Sequence, residues 1–265
     1  MTSEFFRQPL AWLDGALEIL FPRECLVCTR PLRGHSLCFR CDPSCAICTD
    51  NRCQRCFNDL SEPATGICTT CLSFPLETNK LRFLWDYSDV PRDFIRTMKY
   101  RPSITLARLG GNLIGKALPS LFEDPSWDLI VPIPSSPSTL RKRLFHPCHE
   151  IARGLVESST RFKIAPALVH ASRRSPQASL SHQDRLNGLR KMFRVCRPGS
   201  IQGRRILLVE DVITTGATIA AASHVLLSCG ALSVDAVALA QARVWSRFRA
   251  RLHQAFSPLS RQLEQ

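Results

Sequence analysis

The sequence of 265 residues contains no uninterrupted apolar run near the roughly 18 residues that a membrane-spanning helix needs. Its N-terminal stretch LAWLDGALEILF is the most apolar candidate, but Asp14 and Glu18 interrupt the apolar pattern. We interpret residues 1–22 as an amphipathic helix, and we expect no membrane insertion and a cytoplasmic location. The second part of the chain also lacks internal repeats and low-complexity tracts, which excludes a repeat architecture there.

Cysteine is scarce in the second part of the chain, which holds only three of the 13 cysteines. These three are expected to be ordinary packing residues, namely Cys148, Cys196 and Cys229. The other ten precede residue 72, and all of them belong to Cys-x-x-Cys pairs. Pairs at this spacing favour metal over disulfides, so we predict a cysteine-rich zinc module over residues 23–75.

Two zinc ions would use eight of the ten paired cysteines, because a structural zinc site has four thiolate ligands. Such an ion supplies folding energy that a small segment cannot obtain from a core. The natural division gives one ion to Cys25, Cys28, Cys38 and Cys41, and the other to Cys53, Cys56, Cys68 and Cys71. The fifth pair, Cys45 and Cys48, is either spare or part of an unusual pairing. A cross-braced arrangement and iron–sulfur or redox chemistry are the alternatives.

Charge is distributed unevenly along the chain. Residues 1–75 hold seven Lys and Arg against eight Asp and Glu, so the remaining residues hold 28 against 14 and carry a net charge of about +14. A basic surface of this kind suits anionic partners, either phosphorylated small molecules or nucleic acid, and a merely solvated basic face is the simpler alternative.

Short apolar runs alternate with helical patterns after residue 75, which predicts a parallel α/β sheet in a domain over residues 76–245. Strands are expected at LRFLWDYSDV, WDLIVPIP, GRRILLVE and LSVDAVALA. Helices are expected at PRDFIRTMKY, at SITLARLGGNLIGKALPSLF and near residues 217–229. LRKRLFHPCHEIARGLVESS is expected to be a loop that passes into a helix, and residues 246–265 form a basic C-terminal tail.

The stretch ILLVEDVITTGATI joins an apolar strand to an acidic pair and a loop of small polar residues. Ligands of parallel α/β sheets bind beyond the carboxyl ends of the strands, which is where this strand places Glu210 and Asp211. The loop opens a helix whose first amides and dipole suit a phosphate. Its residues are Val212, Thr214, Thr215, Gly216, Ala217 and Thr218, with Ile213 among them. A phosphorylated ribose offers both hydroxyls for the acids and a phosphate for the loop.

Part of this stretch is also compatible with two different roles. A strand end with an acidic turn and a threonine N-cap explains one Thr and one Asp only. A strand ending in Glu-Asp is also similar to a Walker B strand, and GGNLIGKA places Gly110, Gly115 and Lys116 at Walker A spacing. However, Ala117 stands where that motif needs Ser or Thr, and the segment continues a helical pattern, which indicates an accidental match.

The stretch LLVEDVITTGAT resembles the signature that type I phosphoribosyltransferases use to bind 5-phosphoribosyl 1-pyrophosphate (PRPP). The segments MKYRPS, VPIP with RKRLF, and RRSPQASLSHQDRLNGLRKMF extend the resemblance over nearly the whole chain. They are similar to the ComF family, in which a cysteine-rich zinc module precedes a phosphoribosyltransferase-like domain. The resemblance implies the type I phosphoribosyltransferase fold and magnesium-dependent transfer of a phosphoribosyl group to an unknown acceptor.

The resemblance also implies roles for individual residues. Glu210 and Asp211 would bind the ribose 2′ and 3′ hydroxyls, directly or through magnesium, and residues 214–218 would hold the 5′-phosphate. Residues 133–138 would lie near the pyrophosphate, and residues 173–190 would form a mobile hood. Three basic residues are the candidates for the pyrophosphate charge, namely Lys99, Arg141 and Arg143. Such chemistry needs no covalent nucleophile, so the lack of a Ser/His/Asp constellation does not exclude it.

The chain departs from the family pattern beside the expected pyrophosphate loop. Where Arg-Gly-Phe-Asn-Gln is expected, the sequence has Arg143, Leu144, Phe145, His146 and Pro147. Leucine in place of glycine and proline in place of glutamine change backbone freedom and hydrogen bonding. PRPP binding is still expected with these departures, and their effect is expected on turnover.

The same resemblance supports an alternative from another class, a non-catalytic competence protein that keeps the PRPP fold and binds nucleic acid during DNA uptake. Zinc knuckles and the basic second part would then bind single strands electrostatically, with aromatic stacking. No recognisable DNA- or RNA-reading motif is present in the sequence. A homodimer or a partner in the competence machinery is also compatible with this resemblance.

Overall fold

The computed structural model describes residues 23–32, 36–47, 51–60, 66–73, 76–101, 103–158, 161–171 and 191–242. The expected N-terminal helix, the hood and the C-terminal tail lie outside the described residues. Within the described part, no helix is long and apolar enough to span a membrane.

The described residues of the cysteine-rich part form only short elements. Strand β1 (Arg23–Glu24) pairs antiparallel with β2 (Pro31–Leu32), a single 3-10 turn covers Pro43–Ala46, and helix α1 spans Thr69–Ser73. Backbone hydrogen bonds between elements of this size order few residues, so the segment depends on other interactions for its stability.

A five-stranded parallel sheet forms the centre of the second part, which confirms the predicted fold class. Its strands in chain order are β3 (Leu81–Asp86), β4 (Leu129–Pro132), β5 (Lys163–Ile164), β8 (Arg205–Ile213) and β9 (Ser233–Gln241). Between β5 and β8, strands β6 (Leu168–His170) and β7 (Phe193–Val195) form a separate antiparallel pair. The spatial order of the sheet is β3-β9-β8-β4-β5.

Five helices of the described part accompany the sheet. They are α2 (Asp89–Tyr100), α3 (Ile104–Leu121), α4 (Pro137–Arg143), α5 (Pro147–Glu157) and α6 (Ala217–Ser228). Helix α4 corrects the sequence prediction, which expected only a loop before α5. Ser136 caps α4 by accepting a hydrogen bond from the Thr139 amide at 3.2 Å, and Pro137 occupies the first helical turn. Gly110 and Lys116 lie inside α3, so the Walker A spacing is indeed accidental.

Helices α3 and α5 cross in direct backbone contact. A Cβ atom on Gly111 would stand 1.9 Å from the carbonyl oxygen of Ile151, and one on Gly154 would stand 1.9 Å from that of Arg108. Only glycine permits this approach at both positions. The crossing fixes the first turn of α5, including the buried Cys148, beside the end of β8.

Strand β8 extends beyond its neighbour β4. The pairing ends with Pro132 opposite Val209, whereas β8 continues to Ile213. From β4 the chain proceeds to β5 on one side, and from β8 it proceeds to β9 on the other. A crevice therefore opens between the carboxyl ends of β4 and β8, the position at which open α/β sheets bind ligands.

The second half of the cysteine-rich part docks on the outer edge of β3. The amide of Leu81 donates to the Arg55 carbonyl at 2.8 Å, and the Arg52 guanidinium pairs with Asp86 at 3.3 Å. Cys53 and Cys56 are fully buried in the same hydrophobic core as Phe83 of β3. This knuckle therefore covers an edge strand that would otherwise expose unpaired backbone groups.

Candidate functional site

The structure gathers the eight predicted ligand cysteines into two groups of four. One group contains Cys25, Cys28, Cys38 and Cys41, the other contains Cys53, Cys56, Cys68 and Cys71, and within each the sulfur atoms lie within 4.8 Å of one another. This is the natural division and not a cross-braced one. Cys48 and the side chain of Cys45 lie outside the described residues.

The sulfur spacing suits a tetrahedral metal ion. Zinc–sulfur bonds of about 2.3 Å at tetrahedral angles place the sulfur atoms about 3.8 Å apart. The Cys28 and Cys38 sulfurs are 3.7 Å apart, and the pairs Cys53–Cys71 and Cys56–Cys68 are each separated by 3.6 Å. The donor set and its dimensions therefore fit a structural zinc ion at each group.

The crevice between β4 and β8 holds the acidic pair. Asp211 is buried, and its Oδ1 accepts a hydrogen bond from the Lys99 ammonium at 2.8 Å. The Arg143 guanidinium lies 3.9 Å from the other oxygen of the Asp211 carboxylate. Lys99 comes from the last turn of α2 and Arg143 from the last turn of α4, so two helix ends bring positive charge to one carboxylate.

Glu210 has different partners. Its Oε1 accepts hydrogen bonds from the Asp211 amide at 3.0 Å and from the Cys148 thiol at 3.3 Å. Burial and the neighbouring Asp211 charge raise the pKa of Glu210 from 4.5 to about 7. Burial also raises the pKa of the Cys148 thiol above its ordinary value, so the thiol remains protonated and acts as a donor.

A cavity of about 250 Å³ joins these groups. Its lining combines cations, acids, hydroxyls and a few apolar side chains: Lys99, Ile133, Pro134, Ser135, Ser136, Thr139, Arg143, Cys148, His170, Met192, Glu210, Asp211 and Thr218. Two predicted features thus lie together, because the lining includes both the start of the residue 133–138 loop and the acidic pair. Arg141 is exposed and does not contribute to the lining.

The predicted phosphate loop is shorter than the sequence indicates. Val212 and Ile213 still belong to β8, and Ala217 already begins α6, so the loop itself consists of Thr214, Thr215 and Gly216. Gly216 has a φ of 74°, a left-handed conformation that lets the chain turn directly from strand into helix. The Ala217 amide at the start of α6 donates to the Thr215 hydroxyl at 3.4 Å, and Thr218 lines the cavity.

Four lining residues were not predicted as site residues, namely Thr139, Cys148, His170 and Met192, and two of them make polar contacts that shape the site. Cys148 is a buried residue, as expected, but its thiol also binds Glu210, which lies 62 positions away in the sequence. His170 from β6 donates through Nε2 to the Pro134 carbonyl at 3.1 Å, and burial lowers its pKa, so its imidazole is neutral. No local motif marks either residue, because both contacts depend on the tertiary fold.

The raised pKa of Glu210 predicts a pH-dependent stability. Folding favours the protonated carboxyl, so this group's contribution is complete below its ordinary pKa of 4.5 and is lost as pH rises through about 7. We expect the difference in free energy of unfolding between Glu210→Gln and the wild-type protein to grow in favour of the variant between about pH 5 and pH 8. Urea unfolding of the variant and the wild-type protein at these two pH values measures the difference in free energy. A difference that does not change with pH would contradict the prediction.

Leu144 ends α4 in a left-handed conformation. Its φ is 61° and 85% of its surface is exposed, so a leucine occupies a conformation that normally favours glycine without gaining buried area. Pro147, by contrast, occupies the first turn of α5, where proline is well tolerated. The two departures from the family pattern therefore differ in their structural consequences, since only Leu144 is strained.

Replacement of Leu144 by glycine is expected to stabilise the protein by about 1 kcal/mol, because the left-handed conformation costs a leucine about 1–2 kcal/mol and glycine recovers most of this. Leu232 is a matched control, since it is also exposed, at 68%, and does not have a positive φ. Leu232→Gly should destabilise the protein slightly. Thermal and urea unfolding of both variants decide the matter, and equal effects of both would refute the strain argument.

The model of the phosphoribosyl transferase domain family matches residues 113–249, which contain the acidic pair, the loop and most of the sheet. No curated protein sequence matches the chain. Three solved structures with related chains are an allosteric regulatory enzyme of purine biosynthesis, the glutamine PRPP amidotransferase from B. subtilis complexed with ADP and GMP, and the adenine phosphoribosyltransferase from Saccharomyces cerevisiae.

Sequence identities to these three are 20%, 21% and 18%, with TM-scores of 0.39, 0.40 and 0.32. Each alignment covers 56% of this chain. It covers 30% of the first two proteins and 73% of the third, so the chain spans less than a third of the length of the first two.

Proposed function

The chain belongs to the phosphoribosyl transferase domain family, and from this premise we propose that it binds PRPP with magnesium and transfers the phosphoribosyl group to an acceptor. One observation carries the proposal. The acidic pair and two cations from separate helices line one cavity at the switch point of the parallel sheet.

The acidic and the basic side chains of this site match two different parts of PRPP, the ribose hydroxyls and the pyrophosphate. Glu210 and Asp211 bind the ribose hydroxyls, and their carboxylate oxygens suit magnesium as a hard cation, directly or through the sugar. Residues 212–218, from the end of β8 to the first turn of α6, hold the 5′-phosphate. Lys99 and Arg143 bind the pyrophosphate, and Arg141 adds positive charge from the surface of α4.

The chemistry is displacement at the anomeric carbon of the ribose. The bond to pyrophosphate breaks as the acceptor bond forms, with positive charge on the sugar and negative charge on the leaving group. Magnesium supplies charge neutralisation when it is bound. Lys99 and Arg143 support the leaving group, and the carboxylates hold the sugar in place, so this chain needs no nucleophile of its own.

We further propose that the protein is of the ComF type, with two structural zinc ions, a zinc module over residues 23–75 and the transferase-like domain over residues 76–245. Sulfur spacings near the tetrahedral value support the metal assignment. A reducing, cytoplasmic location agrees with thiols kept for metal.

Isothermal titration with magnesium and PRPP tests the central proposal. We expect saturable heat with one PRPP per chain, and release of pyrophosphate on addition of an accepted nucleophile. A titration without heat would overturn PRPP binding. Binding without pyrophosphate release from any acceptor class would leave the protein a PRPP sensor instead of an enzyme.

Nucleic-acid binding is a second candidate, favoured by one exposed face of α2. Arg92, Arg96 and Tyr100 lie four residues apart and are all exposed, so two cations and an aromatic ring form one row on the helix. Affinity for single-stranded DNA should then fall steeply as salt rises from about 50 to about 200 mM, because counterions are released on binding. Affinity that is constant over this range would exclude the candidate.

A further inference from the structure

Arg82 is the one buried basic side chain among the described residues, with 6% of its surface exposed. It projects from β3 and donates to four backbone carbonyls: Nε to Leu121 at 2.7 Å, one terminal nitrogen to Leu81 at 2.9 Å and to Arg55 at 3.5 Å, and the other to Gln54 at 2.8 Å. In the described part of the chain, no carboxylate forms an ion pair with this guanidinium.

A buried charge without a paired counter-charge is costly. Burial lowers the pKa of Arg82, and the charges of the carboxylates Asp235 and Glu123 oppose that effect. Asp235 is already engaged, because its carboxylate accepts from the Lys80 amide and from the Trp127 indole, both at 2.8 Å. The carbonyls alone solvate the guanidinium without neutralising it.

The second cysteine group offers the missing negative charge. Four thiolates around a divalent ion carry a net charge of about −2. Gln54 and Arg55, whose carbonyls accept from Arg82 at 2.8 and 3.5 Å, lie between the ligands Cys53 and Cys56. The guanidinium therefore lies against the turn of the knuckle, and the ring of Phe57 stands 5.1 Å from it.

We infer that Arg82 is the internal counter-cation of a metal-loaded centre at Cys53, Cys56, Cys68 and Cys71. Metal binding at this centre and docking of the knuckle on the edge strand β3 are then one coupled step. Arg82 is thus a positioning residue for the metal, because it acts through charge and through the knuckle backbone. The inference rests on metal occupancy of the cysteine groups and not on PRPP binding.

The two metal centres are consequently not equivalent. Cys28 of the first group is exposed, and its basic neighbour Arg40 is exposed as well, with its guanidinium 5.6 Å from the Phe39 ring. Water can screen the charge of the first centre, whereas the second centre lies in the core. The first ion should therefore leave before the second on chelation.

The test is zinc affinity of the full chain, measured by competition with a chelator. Mass mapping of alkylated cysteines assigns each released ion to its group. We expect Arg82→Met to weaken binding at the second group about 10- to 100-fold, as is usual for outer-shell partners of a metal. Arg82→Lys should recover part of the loss because it keeps the charge, and Arg40→Met should leave both affinities nearly unchanged.

Affinity at the second group within about twofold of wild type in Arg82→Met would overturn the inference, as would a loss that Arg82→Lys does not reduce. If Arg82→Met fails to fold, chelation of the wild-type protein still tests the inference. As the second ion is removed by the chelator, the fluorescence of the core residues Trp85 and Trp127 should change at the same time. Unchanged fluorescence, or release of the second ion before the first, contradicts the coupling. PRPP titration is independent, so each idea fails separately.

Discussion

Replacement of Cys53 and Cys71 by serine is expected to unfold the transferase-like domain itself, and not the cysteine-rich part alone. Both residues are almost fully buried, at 0% and 2% exposure, within the hydrophobic core that includes Phe83 of the central sheet. Structural zinc contributes about 10–16 kcal/mol of apparent binding free energy in small modules. Whole domains are stable by only about 5–15 kcal/mol, so loss of this centre removes a free energy of the same size as the whole stability.

The matched control removes two ligands of the other centre, as Cys28→Ser with Cys41→Ser. Cys28 is exposed and Cys41 half-buried, and none of the first group's cysteines belongs to the core shared with the sheet. We expect this variant to lose one zinc ion and retain the sheet and its unfolding transition. Far-UV circular dichroism, soluble yield and zinc content compare the two variants. Equal loss of structure in both, or a folded Cys53→Ser/Cys71→Ser protein, would contradict the asymmetry.

The sequence predicts the parts of the site that are contiguous in the chain. Glu210 and Asp211 directly follow a strongly apolar run, and the pattern of alternating strands and helices predicts that this end of the strand faces a ligand crevice. The ends of strands are harder to predict from the sequence. Here, pairing with β9 extends β8 to Ile213, beyond the acidic pair. For this tertiary reason the expected loop begins two residues later, after Ile213, whereas the following helix begins at Ala217 as predicted.

The grouping of the cysteines agrees with the natural division of sequential pairs, although their spacing also allowed a cross-braced arrangement. The docking of the second knuckle was not. Arg82 has apolar neighbours on both sides in β3, and these neighbours give no sign that it donates to the carbonyls of Gln54 and Leu121. Contacts between residues so far apart in the sequence depend on the topology of the fold. The short helix α4 was also missed, because a helix that begins with Ser-Pro resembles a loop in the sequence.

Glu210→Gln and Asp211→Asn are expected to weaken the binding of magnesium and PRPP about 10- to 100-fold each, since hydrogen bonds to charged groups contribute about 1.5–3 kcal/mol. Both variants keep the size of the side chain, so the fold should remain. Glu157→Gln is the matched control, because it removes one carboxylate at the exposed end of α5, away from the crevice, that pairs with Arg108 at 3.7 Å. Isothermal titration measures all three, and a Glu157→Gln loss as large as the others would indicate a general charge effect.

Asp211→Asn and Lys99→Met separate two roles of one ion pair. The Lys99 ammonium lies 2.8 Å from the Asp211 carboxylate, so it must exchange this partner, at least in part, to bind pyrophosphate. Lys99→Met should therefore weaken pyrophosphate binding more than ribose 5-phosphate binding, whereas Asp211→Asn should weaken ribose 5-phosphate binding more. Titration of each variant with the two fragments distinguishes these patterns. If both fragments were affected equally in both variants, the pair would serve the fold of the crevice instead of opposite ends of PRPP.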